Sequence, residues 1–117
     1  MPNKQRVLFV DDFADNRVLY GRYLERRCEC DVRTAESVQQ AIQTLLLEDH
    51  FDVILCDFQM EDGTGADVYE FFHKSNYDAK FIIFSACDPA VIRNDSRARN
   101  LDILSKDKLF ELCDRIR

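Results

Sequence analysis

Short apolar runs alternate with longer stretches of helical period along this chain, and that alternation carries the first prediction. Arg6-Val7-Leu8-Phe9-Val10 is almost continuously apolar, as a strand buried on both faces of a parallel sheet must be, and Asp11-Asp12 ends it. A helix is predicted from a cap at Asp15 to about Arg27, with Leu19/Tyr23 and Tyr20/Leu24 as apolar pairs one turn apart and Arg17, Arg22 and Arg26 turned outward. In Cys30 to Thr34 the charged Asp31 and Arg33 flank Val32, which suits an edge strand. Ser37 and Gln40 have the spacing of a capping box. Behind them Val38, Ala41, Ile42, Leu45 and Leu46 form a stripe at helical spacing, predicting a helix that faces the core.

The second half repeats the pattern. Asp52 to Cys56 reads as a third strand ending at Asp57, and Glu61-Asp62-Gly63-Thr64-Gly65 as a turn, because closely spaced glycines suit a turn better than a helix. A short helix follows with Val68, Phe71 and Phe72 as core residues, and Lys80 to Phe84 is a fourth strand ending at Ser85. Asp88-Pro89 has the chemistry of a helix start, yet the stretch to Asn100 offers only Val91, Ile92 and Ala98 among its charges, so a solvated, mobile helix is expected. Leu101 to Leu104 is the fifth strand, ending at Ser105-Lys106, and Asp107 is expected to cap a last helix carrying Leu109, Leu112, Cys113 and Ile116. Strands alternating with helices in this way predict an α/β protein with a parallel sheet and crossover helices.

Composition narrows the options. The chain has 117 residues, 46% hydrophobic and 32% charged, which suits one globular domain over residues 1–117. Its formal charge of -6 argues against direct nucleic-acid binding, which needs a basic surface. No apolar run approaches the roughly 20 residues of a membrane helix, and no secretory h-region follows Met1, so the chain reads as cytosolic, with no membrane partner. The five cysteines, Cys28, Cys30, Cys56, Cys87 and Cys113, lack paired spacing and are expected to remain thiols. Cys28 and Cys30 could supply half a metal site, but no second Cys or His pair accompanies them. The expectation is a stand-alone domain with nothing folded after Arg117, although the short last helix leaves open a piece of a longer protein.

The chemistry gathers at the strand ends. In an open parallel sheet the ligand cleft lies beyond the strand C-termini where strand order reverses. With the order 2-1-3-4-5, Asp11 and Asp12, Asp57, Ser85 and Lys106 all reach that cleft. Grouped carboxylates repel unless a cation sits among them, and Mg2+ suits a few carboxylates plus phosphate oxygens and water. With a lysine and a hydroxyl added, such a site can hold a phosphoryl group, and Asp57 is the candidate nucleophile for an acyl phosphate.

The residues that carry this argument also resemble a known family, the receiver domains of two-component response regulators. The likeness rests on Val7-Leu8-Phe9-Val10-Asp11-Asp12, on Asp57-Phe58-Gln59-Met60 with Gly65, on Phe81-Ile82-Ile83-Phe84-Ser85-Ala86 and on Ser105-Lys106. The resemblance implies a flavodoxin-like three-layer α/β/α sandwich with a five-stranded parallel sheet in the order 2-1-3-4-5. It implies that Asp57 accepts a phosphoryl group from a sensor histidine kinase or phosphotransfer protein. It further implies Mg2+ on Asp11, Asp12, Asp57 and the backbone carbonyl of Gln59, with Ser85 and Lys106 as partners of the phosphoryl oxygens. No activity beyond the domain's own phosphoryl transfer and autodephosphorylation follows. The implied partners are the phosphodonor, a downstream protein target and a second copy of the chain on the face of helix 4, strand 5 and helix 5. Gln59 and Cys87 match positions flanking the path of the hydrolytic water.

The chain also departs from the family pattern. Ile103 replaces the usual aromatic switch residue, Asp107 the proline after the lysine, and Glu61 the proline four after the phosphoacceptor. These departures support an alternative, a receiver-like interaction or dimerisation module read without phosphorylation. A phosphatase of the haloacid dehalogenase type would want an acid where Gln59 stands, and a flavodoxin would not place Asp11-Asp12-Phe13 against its phosphate. Arg93, Arg97 and Arg99 are expected to be a solvated helix face rather than an anion patch. Arg22, Arg26 and Arg27 read as solubility or partner contacts, and His50 and His73 as surface residues.

Overall fold

The computed structural model describes residues 4–117. Five parallel strands form the central sheet: β1 (Arg6–Val10), β2 (Asp31–Ala35), β3 (Val53–Cys56), β6 (Lys80–Ser85) and β7 (Asp102–Ser105), in the order β2-β1-β3-β6-β7. Between β3 and β6 a small antiparallel ribbon, β4 (Gln59–Met60) and β5 (Gly63–Thr64), rises from the loop after Asp57. Leaving that ribbon aside, the order is the expected 2-1-3-4-5.

Alternate residues of each strand feed opposite layers, as the period of two requires. Leu8, Val10, Ile54, Cys56, Phe81 and Ile83 face Val38, Ala41 and Leu45 of α2 (Val38–Leu47) and Val68 and Phe72 of α3 (Gly65–Lys74). Val7, Phe9, Val53, Leu55, Ile82, Phe84 and Leu104 face Leu24 of α1 (Ala14–Arg26) and Leu112 and Ile116 of α5 (Leu112–Ile116). Each such side chain fully removed from water contributes about 1.5–3 kcal/mol, so the two layers hold the sheet rigid beneath the loops at its C-terminal edge.

Several local expectations are corrected. Asp15 does not cap α1; Phe13 occupies that position without a side-chain bond, and the Phe13 N–H is bound instead by Asp11. Arg17 does not face outward, because Asp11 O accepts from its guanidinium at 2.8 Å and Glu36 lies 3.7 Å away. Leu46 and Leu19 are 67% and 60% exposed, since each sits at the rim of its helical stripe, beyond the reach of the sheet. Ser105, not Asp107, caps the final turn: its hydroxyl accepts from the Asp107 N–H, and a 3-10 segment, Lys106–Glu111, precedes α5.

The segment after Ser85 differs most. Asp88 caps α4 (Pro89–Ile92) through the Ala90 N–H, but the helix lasts a single turn and gives way to a 3-10 turn at Ser96–Ala98. Arg93 and Arg99 are exposed as expected, but Arg97 is half-buried and paired. Arg93 donates to the carbonyls of Arg99 and Leu101, and Arg97 donates to Asp95, Asp67 and Glu70. Arg97 therefore staples this segment to α3 and Arg93 closes the turn that follows, while Ile92 and Ala98 are fully buried. Nor do all the cysteines remain thiols, because Cys28 and Cys113 form a disulfide. Folding brings the end of α1 beside α5 on one face of the sheet, which a spacing of 85 residues does not reveal.

Candidate functional site

The site is built by three strand ends. Asp11 and Asp12 leave β1, Asp57 leaves β3 and Lys106 leaves β7, and parallel pairing of β1 with β3 sets Val10 opposite Cys56, immediately before the two acids. Asp11 is completely buried; its Oδ1 accepts from the Phe13 N–H at 2.9 Å and its Oδ2 from Asn16 at 3.2 Å and from Lys106 Nζ at 2.8 Å. Asp57 Oδ1 accepts from the Phe58 N–H at 2.7 Å and its Oδ2 from Lys106 Nζ at 3.2 Å. The ammonium thus bridges the two carboxylates. Asp12 accepts from the Glu61 N–H at 3.1 Å, tying the loop after β1 to the ribbon.

Oxygens of Asp11, Asp12 and Asp57 lie within 4.8 Å of one another. That spacing of hard anionic oxygens fits a small divalent cation such as Mg2+. Burial raises the Asp57 pKa and the neighbouring Asp11 adds to it, while Lys106 pulls the other way; the balance is a carboxylate more basic than usual. For Lys106 burial alone would favour the neutral amine, but hydrogen bonds and charge from Asp11 and Asp57 prevail and raise its pKa. The group is therefore a fixed cation at neutral pH.

Gly65 shapes the floor. Its N–H donates to Phe58 O at 2.7 Å, and a Cβ there would lie 2.6 Å from Asp57 O and 2.7 Å from Ile83 Cδ1. The ribbon is anchored twice more. Thr64 and Asp67 form a reciprocal capping box at the start of α3, and Asp62 accepts from the Val38 and Gln39 N–H groups at the start of α2.

Ser85 is buried at the end of β6, but its hydroxyl accepts from the Cys87 N–H at 3.1 Å and makes no hydrogen bond to the cluster among the described residues. Gln59 is exposed and opens the ribbon, opposite Thr64. Ile103 is half-buried in the strand beside Ile83. Asn16 and Tyr20 also belong to the site, although the sequence offers no sign of Asn16 and reads Tyr20 only as half of an apolar pair with Leu24. Both lie on the inner side of α1, where Tyr20 stacks edge-on against Phe9 and Phe84 with its ring centre 5.7 Å from Lys106 Nζ. Their four-residue spacing is a helix-face signal, but nothing local says what that face meets.

A family model described as the response regulator receiver domain matches residues 7–117. The chain belongs to that family. This receiver domain is 31% identical over 107 residues to the response regulator protein PilR of Pseudomonas aeruginosa, an alignment covering 89% of the chain and 23% of PilR. The chain therefore spans about a quarter of that relative's length. Among solved structures the receiver domain is similar to TrrA from Thermotoga maritima in complex with Mg2+-BeF, with a TM-score of 0.81 at 24% identity, covering 97% of this chain and 99% of that one. It is also similar to the receiver domain of Ssk1 from Saccharomyces cerevisiae, crystallised with the phosphotransfer protein Ypd1, with a TM-score of 0.75 at 20% identity over 97% and 86% of the two chains. At such identities the likeness to both structures is one of fold.

Proposed function

We propose that Asp57 is the phosphoacceptor and takes a phosphoryl group from a phosphohistidine on a sensor kinase or phosphotransfer protein. The observation that carries this reading is the bridge of Lys106 Nζ between Asp57 Oδ2 and Asp11 Oδ2 in a cluster drawn from three strand ends. An oxygen of Asp57 attacks phosphorus, the P–O bond forms as the P–N bond to imidazole breaks, and the departing imidazole takes up a proton. The Phe58 N–H and Lys106 hold the carboxylate oriented, so little rearrangement is needed at the moment of transfer. Asp57 and Asp12, with the Gln59 carbonyl and Asp11, would hold Mg2+, which supplies charge neutralisation to the phosphoryl oxygens. Roughly two negative charges then replace one, and Lys106 and a turned Ser85 hydroxyl stabilise them. Breaking the Ser85 to Cys87 turn links that event to the α4 segment and to the surface read by a downstream protein.

The reading extends to a second copy of the chain on the face of α4, β7 and α5, where Val91 and Phe110 are exposed, and to a cytoplasmic location. Among the described residues no helix is long and apolar enough to cross a membrane.

The test is intact mass spectrometry after incubation with Mg2+ and acetyl phosphate, beside Asp57→Asn and Mg2+-free controls. One phosphoryl adduct needing both Asp57 and Mg2+ is expected. No adduct, with Mg2+ binding intact, would overturn the proposal in favour of a module read without phosphorylation.

A further inference from the structure

The Cys28–Cys113 cystine takes no part in the phosphoacceptor cluster and lies at the opposite edge of the sheet. Cys28 follows the C-terminal cap of α1, just before β2 begins, and Cys113 is in α5. At that edge Lys80, the first residue of β6, donates to the carbonyls of Arg115 and Arg117. The cluster forms where the strands end.

The bond joins unequal elements. α1 is a 13-residue helix, whereas α5 has five residues and follows a 3-10 segment with a kink at Lys108. So short a helix has little stability of its own in water and depends on what fastens it. Apart from the cystine, its fastenings are Leu112 and Ile116 in the core, two carbonyl contacts to Lys80 and an exposed ion pair of Arg115 with Asp102 of β7. The two residues also differ in exposure, since Cys28 is buried and Cys113 half-buried.

The third cysteine nearby is held out of the pairing. Glu29, between Cys28 and Cys30, has a φ of 55°, a left-handed conformation uncommon outside glycine. In that turn the Cys30 thiol donates to Cys28 O, and burial raises its pKa, so it remains a protonated neighbour. Cys56 is fully buried and Cys87 follows the far end of β6.

We propose that Cys28–Cys113 is a reversible thiol–disulfide exchange site whose co-substrate is a dithiol, and that its reduction unfastens α5 from α1. A thiolate of the dithiol attacks Cys113 Sγ, the protein S–S bond breaks, and Cys28 leaves as a thiolate that takes a proton. The second thiol of the reductant, as its thiolate, then displaces Cys113 from the mixed disulfide. Two electrons pass to the protein, two protein thiols result, and the reductant ends as a cyclic disulfide. An oxidised dithiol runs the same steps backwards.

The experiment uses the full chain equilibrated with dithiothreitol in graded ratios of its reduced and oxidised forms. Thiols in one portion are then trapped with a maleimide in denaturant at low pH and disulfide-linked peptides are mapped, while amide hydrogen exchange is followed over residues 109–117 in the folded protein. The oxidised protein is expected to carry three reactive thiols and a Cys28–Cys113 peptide, and the reduced protein five. Reduction is expected to speed exchange of the α5 amides roughly tenfold or more, reversibly. Cys113→Ser should match reduced wild type and ignore the redox ratio. Should that variant not fold, the wild-type titration decides alone. Five reactive thiols at every ratio, a linked peptide containing another cysteine, or α5 protection indifferent to reduction would each overturn the proposal. None of these readouts uses phosphorylation, so failure of the phosphoacceptor reading leaves the test intact.

Discussion

Replacing Gly65 by alanine adds one methyl group beneath Asp57, the proposed phosphoacceptor, and the structure says where it goes. The new Cβ would lie 2.6 Å from Asp57 O and 2.7 Å from Ile83 Cδ1, both well inside van der Waals contact. Ile83 Cδ1 can rotate away within a buried layer, but the Asp57 carbonyl cannot move without carrying the Asp57 backbone with it. Overpacking of this kind costs about 1–3 kcal/mol, which lowers Tm by roughly 4–15 °C in a domain of this size. Gly21, in the middle of α1, is the internal control: a Cβ there meets nothing within 4 Å, so Gly21→Ala should stabilise by about 0.5–1 kcal/mol through helix propensity alone. Both variants are to be melted by circular dichroism in Mg2+-free buffer and then phosphorylated with acetyl phosphate and Mg2+. Gly65→Ala should also phosphorylate more slowly, up to about 100-fold if Asp57 is displaced by 1 Å, while Gly21→Ala should match wild type. Equal melting temperatures and rates for wild type and Gly65→Ala would refute the claim that this close approach sets the position of Asp57.

Three other outcomes are expected. Backbone hydrogen bonding from Thr64 and the Arg97 guanidinium hold the Asp67 carboxyl below its usual range, and Arg97 does the same for Asp95. Depressed carboxylate pKa values add stability that is present above the unfolded value near 4 and lost as pH falls through the folded one. Arg97→Met should therefore cost about 1 kcal/mol at pH 7, the groups being partly exposed, and progressively less below pH 4; a pH-independent difference in urea midpoint would refute the network's electrostatic role. Glu61→Ala removes a negative charge beside Asp12 and should raise the acetyl phosphate rate about twofold at low salt, converging with wild type at high salt; identical rates at low salt would sink the idea. Mg2+ at about 100 times its Kd should stabilise wild type by about 2.7 kcal/mol, and Asp12→Asn at the same concentration by much less; an unchanged response would remove Asp12 from the ligand set.

The strand periodicity of the chain, read with the helical stripes between the strands, was enough for the parallel sheet. With the family resemblance it was enough for the strand order and for the meeting of Asp11, Asp12, Asp57 and Lys106 at one edge. These features follow from repeats of two and 3.6 residues and from what ends each strand, all of which are local. Tertiary structure decided the rest. Arg93 and Arg97 carry no sign in the sequence of the carbonyls and carboxylates they bind, because those partners come from the turn into β7 and from α3. Tyr20 looks like any core residue of an amphipathic helix until α1 is laid beneath Lys106. Ser85 stands where the resemblance expects a switch hydroxyl, yet only the local turn shows that the Cys87 amide holds it. Cys28 and Cys113 become neighbours because α1 and α5 bury their apolar stripes on the same face of the sheet. Periodicity reports which face a residue turns to the core; which distant side chain it meets there depends on how the layers pack.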